Sequence, residues 1–302
     1  MNFVITGSTG LVGSALVPFL ETRGHGVTRL LRPSTGVQAK ENDVQWDPAA
    51  TRVDSTALEG RDVVVHLAGD NIASGRWTAA KKARIRDSRV QGTRVLCEAI
   101  AKLSQPPKAV LCASAVGFYG DRGEEVLDES STPGKDFLAD VCREWEAAAQ
   151  PAADGGCRVV HLRIGVVLSP AGGALAKMLL PFKLGAGGKI GSGKQYMSWI
   201  SIDDLVEVIH HAMVTEDLRG PVNAVSPTPV TNLEFTKSLG KVLSRPTLFP
   251  MPAFLARLAF GEMADAALLA STRVEPARLK ETGYMFRHPG LAGALRHVLA
   301  AR

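Results

Sequence analysis

Three scarcities narrow the reading of this chain before any motif is considered: cysteines are few, no apolar run is long, and the charges nearly balance. The four cysteines among 302 residues, Cys97, Cys112, Cys142 and Cys157, form no C-x-x-C pair. They sit in apolar or helical surroundings, so they read as reduced core thiols of a reducing, cytoplasmic compartment, and no metal site is expected from them. No apolar stretch approaches the ~20 residues that cross a bilayer. The opening residues carry no basic segment, and glycines interrupt their apolar run, so a secretory leader is not expected. A net charge of +5 suits an anionic cofactor or substrate but is too small to argue for nucleic acid. Internal repeats and low-complexity segments are missing as well. The remainder is an ordinary globular composition, 45% hydrophobic and 22% charged, on a chain long enough for about two units.

The opening, MNFVITGSTGLVG, organises the rest. Phe3, Val4 and Ile5 make an apolar run of strand length, Gly7 to Gly13 break it, and Leu16, Val17 and Leu20 follow at helical spacing. A strand, a glycine turn and a helix begin a nucleotide-binding α/β domain. The glycines allow a tight turn and let a pyrophosphate approach the helix N-terminus, where free N–H groups and the helix dipole favour anions. The spacing is G-x-x-G-x-x-G rather than G-x-G-x-x-G, and its position directly after a first strand gives it its weight.

Gly26 to Leu31 reads as a second strand leading into Arg32-Pro33-Ser34. About twenty residues past the glycine turn an Asp or Glu normally holds the ribose 2′-hydroxyl of NAD. Arg32 stands there instead. Its planar fork grips a 2′-phosphate that a carboxylate would repel, so the position points to NADP rather than NAD. Val44-Gln45-Trp46 is a short third strand, with Asp47 at the edge where an adenine would lie. Val63 to Leu67 is the fourth, and the small residues Ala68 and Gly69 after it let backbone pass close to a ribose. A basic helix over 79–102 spreads Lys81, Lys82, Arg84, Arg86, Arg89 and Arg94 around most of its circumference, a solvated surface from which Arg89 is the candidate to turn inward.

Ala109 to Ala113 is a fifth strand, followed by Ser114 to Gly120, a helix over 137–149 and a sixth strand, Val159 to Ile164. This alternation implies a doubly wound parallel sheet of the α/β class, with ligands at the carboxyl ends of its strands. Past Pro170 the pattern changes. Gly188 to Lys194 formally matches G-x-x-x-x-G-K, but Gln195 replaces the magnesium-binding Ser or Thr and no strand precedes it. A flexible loop or hairpin beside the cleft fits better than an NTPase phosphate loop. A stretch over 196–202 leads to Asp203-Asp204 and an expected helix through Met213; further helices are expected over 232–243, then in short pieces over 253–260, 263–270, 275–281 and 292–301. The expected division is a dinucleotide-binding core over 1–169, an interleaved substrate-side segment over 170–249 and a small helical region over 250–302.

These residues resemble the extended or atypical short-chain dehydrogenase/reductases, the NAD-dependent epimerase/dehydratase group. The wider likeness rests on GSTGLVG at 7–13, HLAG at 66–69, the YG pair at 119–120, RIGVVLS at 163–169 and WISIDDL at 199–205. A closer likeness is to the branch called "epimerase family protein", through AGDNI at 68–72, RW at 76–77, IRDSR at 85–89, GSGKQYMSWI at 191–200 and the stretch 260–289, which is similar to that branch's C-terminal domain of unknown function. The resemblance implies a Rossmann core binding NADP(H) through Gly7, Thr9, Gly10, Leu11, Val12 and Gly13, with Arg32 on the 2′-phosphate. It puts Leu67, Ala68 and Gly69 along the ribose and Ile164, Gly165 and Val166 near the nicotinamide.

Catalysis does not carry over with the fold. Related enzymes use a Tyr-x-x-x-Lys pair, in which the lysine lowers the tyrosine's pKa and the phenol exchanges a proton with the substrate hydroxyl. In this chain the matching helix offers Phe137 and Val141, or Leu138 and Cys142. Counting four back from Tyr119 gives Ala115 where a Ser or Thr is usual, with Ser114 one place off, and Arg89 stands for the helical Asn. Tyr119 and Ser114 are the first substitutes to consider, with Asp70, Lys194 and Tyr196 behind them. Two functions follow: an NADP(H)-dependent oxidoreductase or epimerase-like protein acting on a small molecule, of anionic or sugar-nucleotide kind given Arg76, Arg89 and Lys194; or a non-catalytic NADP(H)-binding protein that regulates through a protein partner. Neither a nucleic acid nor a membrane is expected as a partner.

Overall fold

The computed structural model describes residues 1–33, 42–50 and 53–300. Ser34 and Ala301, expected at a strand exit and a helix end, lie outside them. Alternation along the first strand explains the layers. β1 (Asn2–Thr6) sends Phe3 and Ile5 to one face of the sheet and Val4 to the other, all buried. β2 (Gly26–Leu31), β3 (Val44–Gln45), β4 (Val63–His66) and β5 (Ala109–Ala115) follow in sequence. After a short β6 (Val126–Leu127) come β7 (Arg158–Ile164), β8 (Val166–Leu168), β9 (Tyr196–Met197), β10 (Trp199–Ser201), β11 (Gly220–Ala224), β12 (Val230–Thr231) and β13 (Arg273–Val274).

Seven of these strands form one parallel sheet in the order β11-β7-β5-β4-β1-β2-β3. The order reverses between β1 and β4, and a ligand crevice opens outside the carboxyl ends of the strands at such a reversal. One face packs Phe3, Ile5, Val63, Val65 and Leu111 against α1 (Leu11–Glu21) and α6 (Ile202–Val214). The other packs Val4, Val64 and Val110 against α2 (Ala79–Ile100) and α4 (Gln150–Asp154). Each such side chain contributes about 1.5–3 kcal/mol by leaving water. All four cysteines are buried and free.

α3 (Phe137–Ala147) packs beside the end of β5. α5 (Gly173–Lys183), α7 (Asn232–Leu243) and α10 (Leu291–Ala300) build a further core around Trp199 and Phe235. Also helical are α8 (Ala253–Phe260), a π-helical turn over Ala264–Leu269 and α9 (Ala277–Glu281), with short 3-10 turns over Ser55–Ala57 and Val116–Tyr119. Among the described residues no helix is long and apolar enough to cross a membrane.

Among the elements that the sequence reading did not anticipate, two carry a physical reason. α5 forms where no helix was read, with Leu175, Leu179 and Phe182 buried at helical spacing despite Pro181. β11 was also unexpected; its Gly220 and Pro221 argue against a strand, but it pairs only with β7 and so sits at the sheet edge, where proline is tolerated. The 185–194 loop is irregular and tied down: Gln195 donates to Ile190 and Leu268 carbonyls at 3.0 Å, and Ile190 N–H donates to Asn232 Oδ1 at 2.8 Å.

Candidate cofactor and active site

Glycine is required twice in the first turn. Gly7 has φ +69°, and a Cβ there would lie 2.6 Å from the Leu67 carbonyl carbon, so the turn after β1 lies against the end of β4. A Cβ on Gly13 would meet the Gly7 oxygen at 2.3 Å, which locks the first turn of α1 onto the same loop. Gly10 is the N-cap of α1 and supplies no side-chain acceptor to the amides of the first turn. These amides and the helix dipole form an anion cradle.

A cleft opens over this turn, lined among the described residues by 7–10, 30–32, Trp46 and 67–69; of these, Arg32 carries a charge. Thr9, Gly10, Leu67, Ala68 and Gly69 thus come together with Arg32, as do Ser8, Leu30, Leu31 and Trp46, which the sequence reading did not single out. Asp47 does not line the cleft. Its carboxylate accepts the amides of Ala49 at 3.0 Å and Ala50 at 3.3 Å, shaping the turn that follows β3, while the neighbouring Trp46 forms the wall.

Behind that wall His66 is fully buried, its ring edge-on to Trp46 with centroids 5.9 Å apart. Thr6 Oγ1 accepts the Ala68 amide at 3.3 Å and shares a 2.7 Å hydrogen bond with His66 Nδ1, which ties the end of β4 to the end of β1. Burial drives the imidazole pKa down to about 4, and the ring is neutral.

The loop past β4 is held by two cations. Arg89 turns inward: Nη1 donates to the carbonyls of Asp70 at 3.0 Å and Ile85 at 3.1 Å, and its carbon would lie 3.2 Å from a Cβ on Gly69. The guanidinium also stands over Trp145, and burial lowers its pKa. Lys81 corrects the picture of a solvated helix. Its side chain is 4% exposed, and its ammonium donates to Asp70 Oδ2 at 2.6 Å and to the Asn71 carbonyl and Ser74 Oγ, each at 2.7 Å. The signal was present in the sequence: Lys81 falls in register with Ile85, Leu96 and Ile100 on the buried stripe of α2.

Tyr119 and Ser114 belong to one interior network. The Tyr119 hydroxyl donates to Asn223 Oδ1 at 2.7 Å and accepts from Arg163 Nη1 at 3.0 Å, on a residue with no exposed surface. Burial pushes its pKa up to about 12, opposite in direction to the activation a Tyr-Lys pair supplies. Ser114 Oγ donates to Glu146 Oε1 at 2.7 Å, and Glu146 also receives the Arg163 fork at 2.8 and 2.9 Å. Arg163 stacks on Phe118 at 3.4 Å. Motif reading missed this ion pair because its partners are 17 residues apart on β7 and α3.

Where related enzymes carry the tyrosine and lysine, this chain builds an apolar cluster. Phe137 and Val141 pack with Trp77, Ile85, Phe260 and Met263, Leu138 lies 3.4 Å from the position of a Cβ on Gly117, and burial raises the Cys142 thiol pKa to about 12. Of the nicotinamide-side candidates, Gly165 sits where a Cβ would come 2.7 Å from the Ser198 carbonyl oxygen, and Val166 N–H donates to that carbonyl at 2.8 Å, so Ile164, Gly165 and Val166 form a fixed step from β7 to β8. Lys194 is exposed, and Tyr196 lies beneath the Arg273 guanidinium at 4.9 Å.

The strand order and the crevice at its reversal define a Rossmann-type α/β protein of the extended short-chain dehydrogenase/reductase class. Its lineage is narrower: the chain belongs to the NAD dependent epimerase/dehydratase family, matched over residues 3–224, and residues 251–298 match a domain of unknown function, DUF1731. It is 44% identical over 291 residues to an epimerase family protein of Mycobacterium bovis, covering 96% of this chain and 95% of that one. The crystal structure of human epimerase family protein SDR39U1 (isoform 2) with NADPH superposes with a TM-score of 0.92 at 35% identity, over 100% of both chains. A nucleoside-diphosphate sugar epimerase from Corynebacterium glutamicum gives a TM-score of 0.80 at 40% identity, covering 99% of this chain and 58% of that one.

Proposed function

We propose that this chain binds NADP(H) in the cleft over the glycine turn and acts as an oxidoreductase or epimerase-like protein on a small, sugar-nucleotide-like anion. The carrying observation is the cleft itself: a glycine cradle at a helix N-terminus, with Arg32 on its wall. The NADPH in the human relative's structure supports the cofactor, and the likeness to the nucleoside-diphosphate sugar epimerase of Corynebacterium glutamicum supports the substrate class. In this reading Gly7 to Gly13 hold the pyrophosphate, Arg32 the 2′-phosphate, Leu67 to Gly69 the ribose, and Ile164 to Val166 face the nicotinamide. The bound dinucleotide would supply hydride chemistry, while the protein's part is to orient the ring and exclude water. The substrate-side segment over 170–249 and the helical region over 250–302 would complete the substrate pocket.

Arg32→Glu tests the cofactor assignment. Losing a charged hydrogen-bond pair and gaining repulsion should weaken NADPH by roughly 10–100-fold and leave NADH far less affected in a fluorescence titration. Equal losses for both would remove Arg32 from the 2′-phosphate.

A second reading is favoured by the Tyr119 and Ser114 network, which engages both hydroxyls inside the protein. There the chain holds NADP(H) without turning over a substrate and acts through a protein partner. Incubating the NADPH-loaded protein with a panel of sugar nucleotides and carbonyl compounds separates the two: consumption of NADPH, or interconversion of a sugar nucleotide, supports the first and rejects the second.

A further inference from the structure

We propose that Asp203, His288 and His297 form a divalent-metal site, of zinc type, that clasps the C-terminal segment to the start of α6. The three residues arrive from separate pieces of chain: the first turn of α6, the segment after α9, and the last turn of α10. One ligand atom from each lies within 4.8 Å of the other two. His297 Nε2 is 3.1 Å from Asp203 Oδ2, and the two imidazoles stack with centroids 4.2 Å apart and planes inclined by 25°.

Zinc binds imidazole nitrogen and carboxylate oxygen at about 2.0–2.2 Å, so tetrahedral donors stand about 3.4 Å apart. All separations here lie within 4.8 Å, so the gap to be closed is at most about 1.4 Å, which side-chain rotation of half-exposed groups can close without moving backbone. The backbones are fixed independently of any ion. Buried Asp204, next to Asp203, accepts the amides of Arg287 at 2.7 Å and His288 at 3.1 Å, as well as the Ser201 hydroxyl at 2.8 Å. α10 is seated through Leu291, Ala294, Leu295 and Val298. Two imidazoles and one carboxylate leave a coordination position for water and favour zinc, cobalt or nickel over calcium or magnesium, which prefer all-oxygen sets.

The molecule carries its own control. His25 and His210 also stack, at 5.8 Å and 29°, but among the described residues no third donor completes that pair. The proposal is independent of the NADP(H) reading, because none of the three residues lines the cofactor cleft.

The test uses the full-length protein with any affinity tag removed. Zn²⁺ is titrated calorimetrically and Co²⁺ by visible absorption. One ion per chain is expected, with cobalt d–d bands of a nitrogen-and-oxygen site and a melting temperature that rises with Zn²⁺. Loss of an outer partner alone costs about 10–100-fold in metal affinity, so His297→Ala and Asp203→Asn should each weaken Zn²⁺ at least that much and abolish the thermal shift. His210→Ala should leave both unchanged. Retention of the wild-type circular dichroism spectrum by the variants shows that the fold survives. Absence of stoichiometric binding at micromolar Zn²⁺, or equal affinity in His297→Ala and wild type, overturns the site.

Discussion

A phenol that exchanges protons with a substrate must reach that substrate and must lose its proton at working pH. Tyr119 is enclosed, hydrogen-bonded to Asn223 and Arg163, and has its pKa raised to about 12 by burial. Its hydroxyl ties β11, through Asn223, to the Arg163–Glu146 pair of β7 and α3. Tyr119→Phe removes one partner from each of two buried groups, for which the usual cost is about 1–3 kcal/mol. The expected result is a lowered urea midpoint with NADPH affinity unchanged within about twofold, since Tyr119 does not line the cleft over the glycine turn. A variant of wild-type stability that has lost turnover would instead make Tyr119 a catalytic group.

At the scale of elements, the glycine turn tests how tightly β1, α1 and β4 are joined. Gly13→Ala places a methyl group 2.3 Å from the Gly7 oxygen, a clash that only movement of α1 away from the turn can relieve. Overpacking of this kind costs about 1–3 kcal/mol. It should also open the anion cradle, so that calorimetry finds NADPH binding weakened at least as much as stability. An unchanged binding isotherm would mean that the dinucleotide does not rest on this turn. The same turn was the most legible part of the chain, because strand, glycines and helical spacing lie within one local stretch that needs no partner to be recognised. β2 was read with its bounds, Gly26–Leu31, for the same reason. What stayed hidden depends on long-range assembly. β11 is a strand because the edge of a sheet is waiting for it, and nothing in Gly-Pro-Val-Asn-Ala announces that edge. α5 carried a readable apolar period, obscured by Gly172, Gly173 and Pro181. At the cleft, the place of Arg32 after β2 was legible and the inward register of Lys81 was readable, whereas its partner Asp70 and the Trp46 wall emerge only when the helix and the third strand close over the loop.

For the whole molecule, the histidines set how stability responds to acid. His66 has its pKa lowered to about 4 by complete burial, and burial also lowers those of His25, His161, His210 and His211. An unfolded histidine titrates near pH ~6.5. Between that value and about 4 the unfolded chain therefore takes up a proton at position 66 that the folded chain refuses. With more protons bound to the unfolded state, stability is fully present above the unfolded pKa and falls as pH drops through this window. The slope for one such group approaches ~1.4 kcal/mol per pH unit. Glu129 works in the other direction, because burial raises its carboxyl pKa and the folded chain is the better proton acceptor there. Since Glu129 is untouched by a change at position 66, His66→Asn isolates the histidine: asparagine can still hydrogen-bond Thr6 but cannot titrate. Urea midpoints measured for both proteins at pH 7 and pH 5 should show the wild type losing about 2 kcal/mol more than the variant across that interval. Parallel losses in the two would mean that His66 accepts a proton in the folded state, and that the Trp46 wall opens to water far more readily than its packing implies.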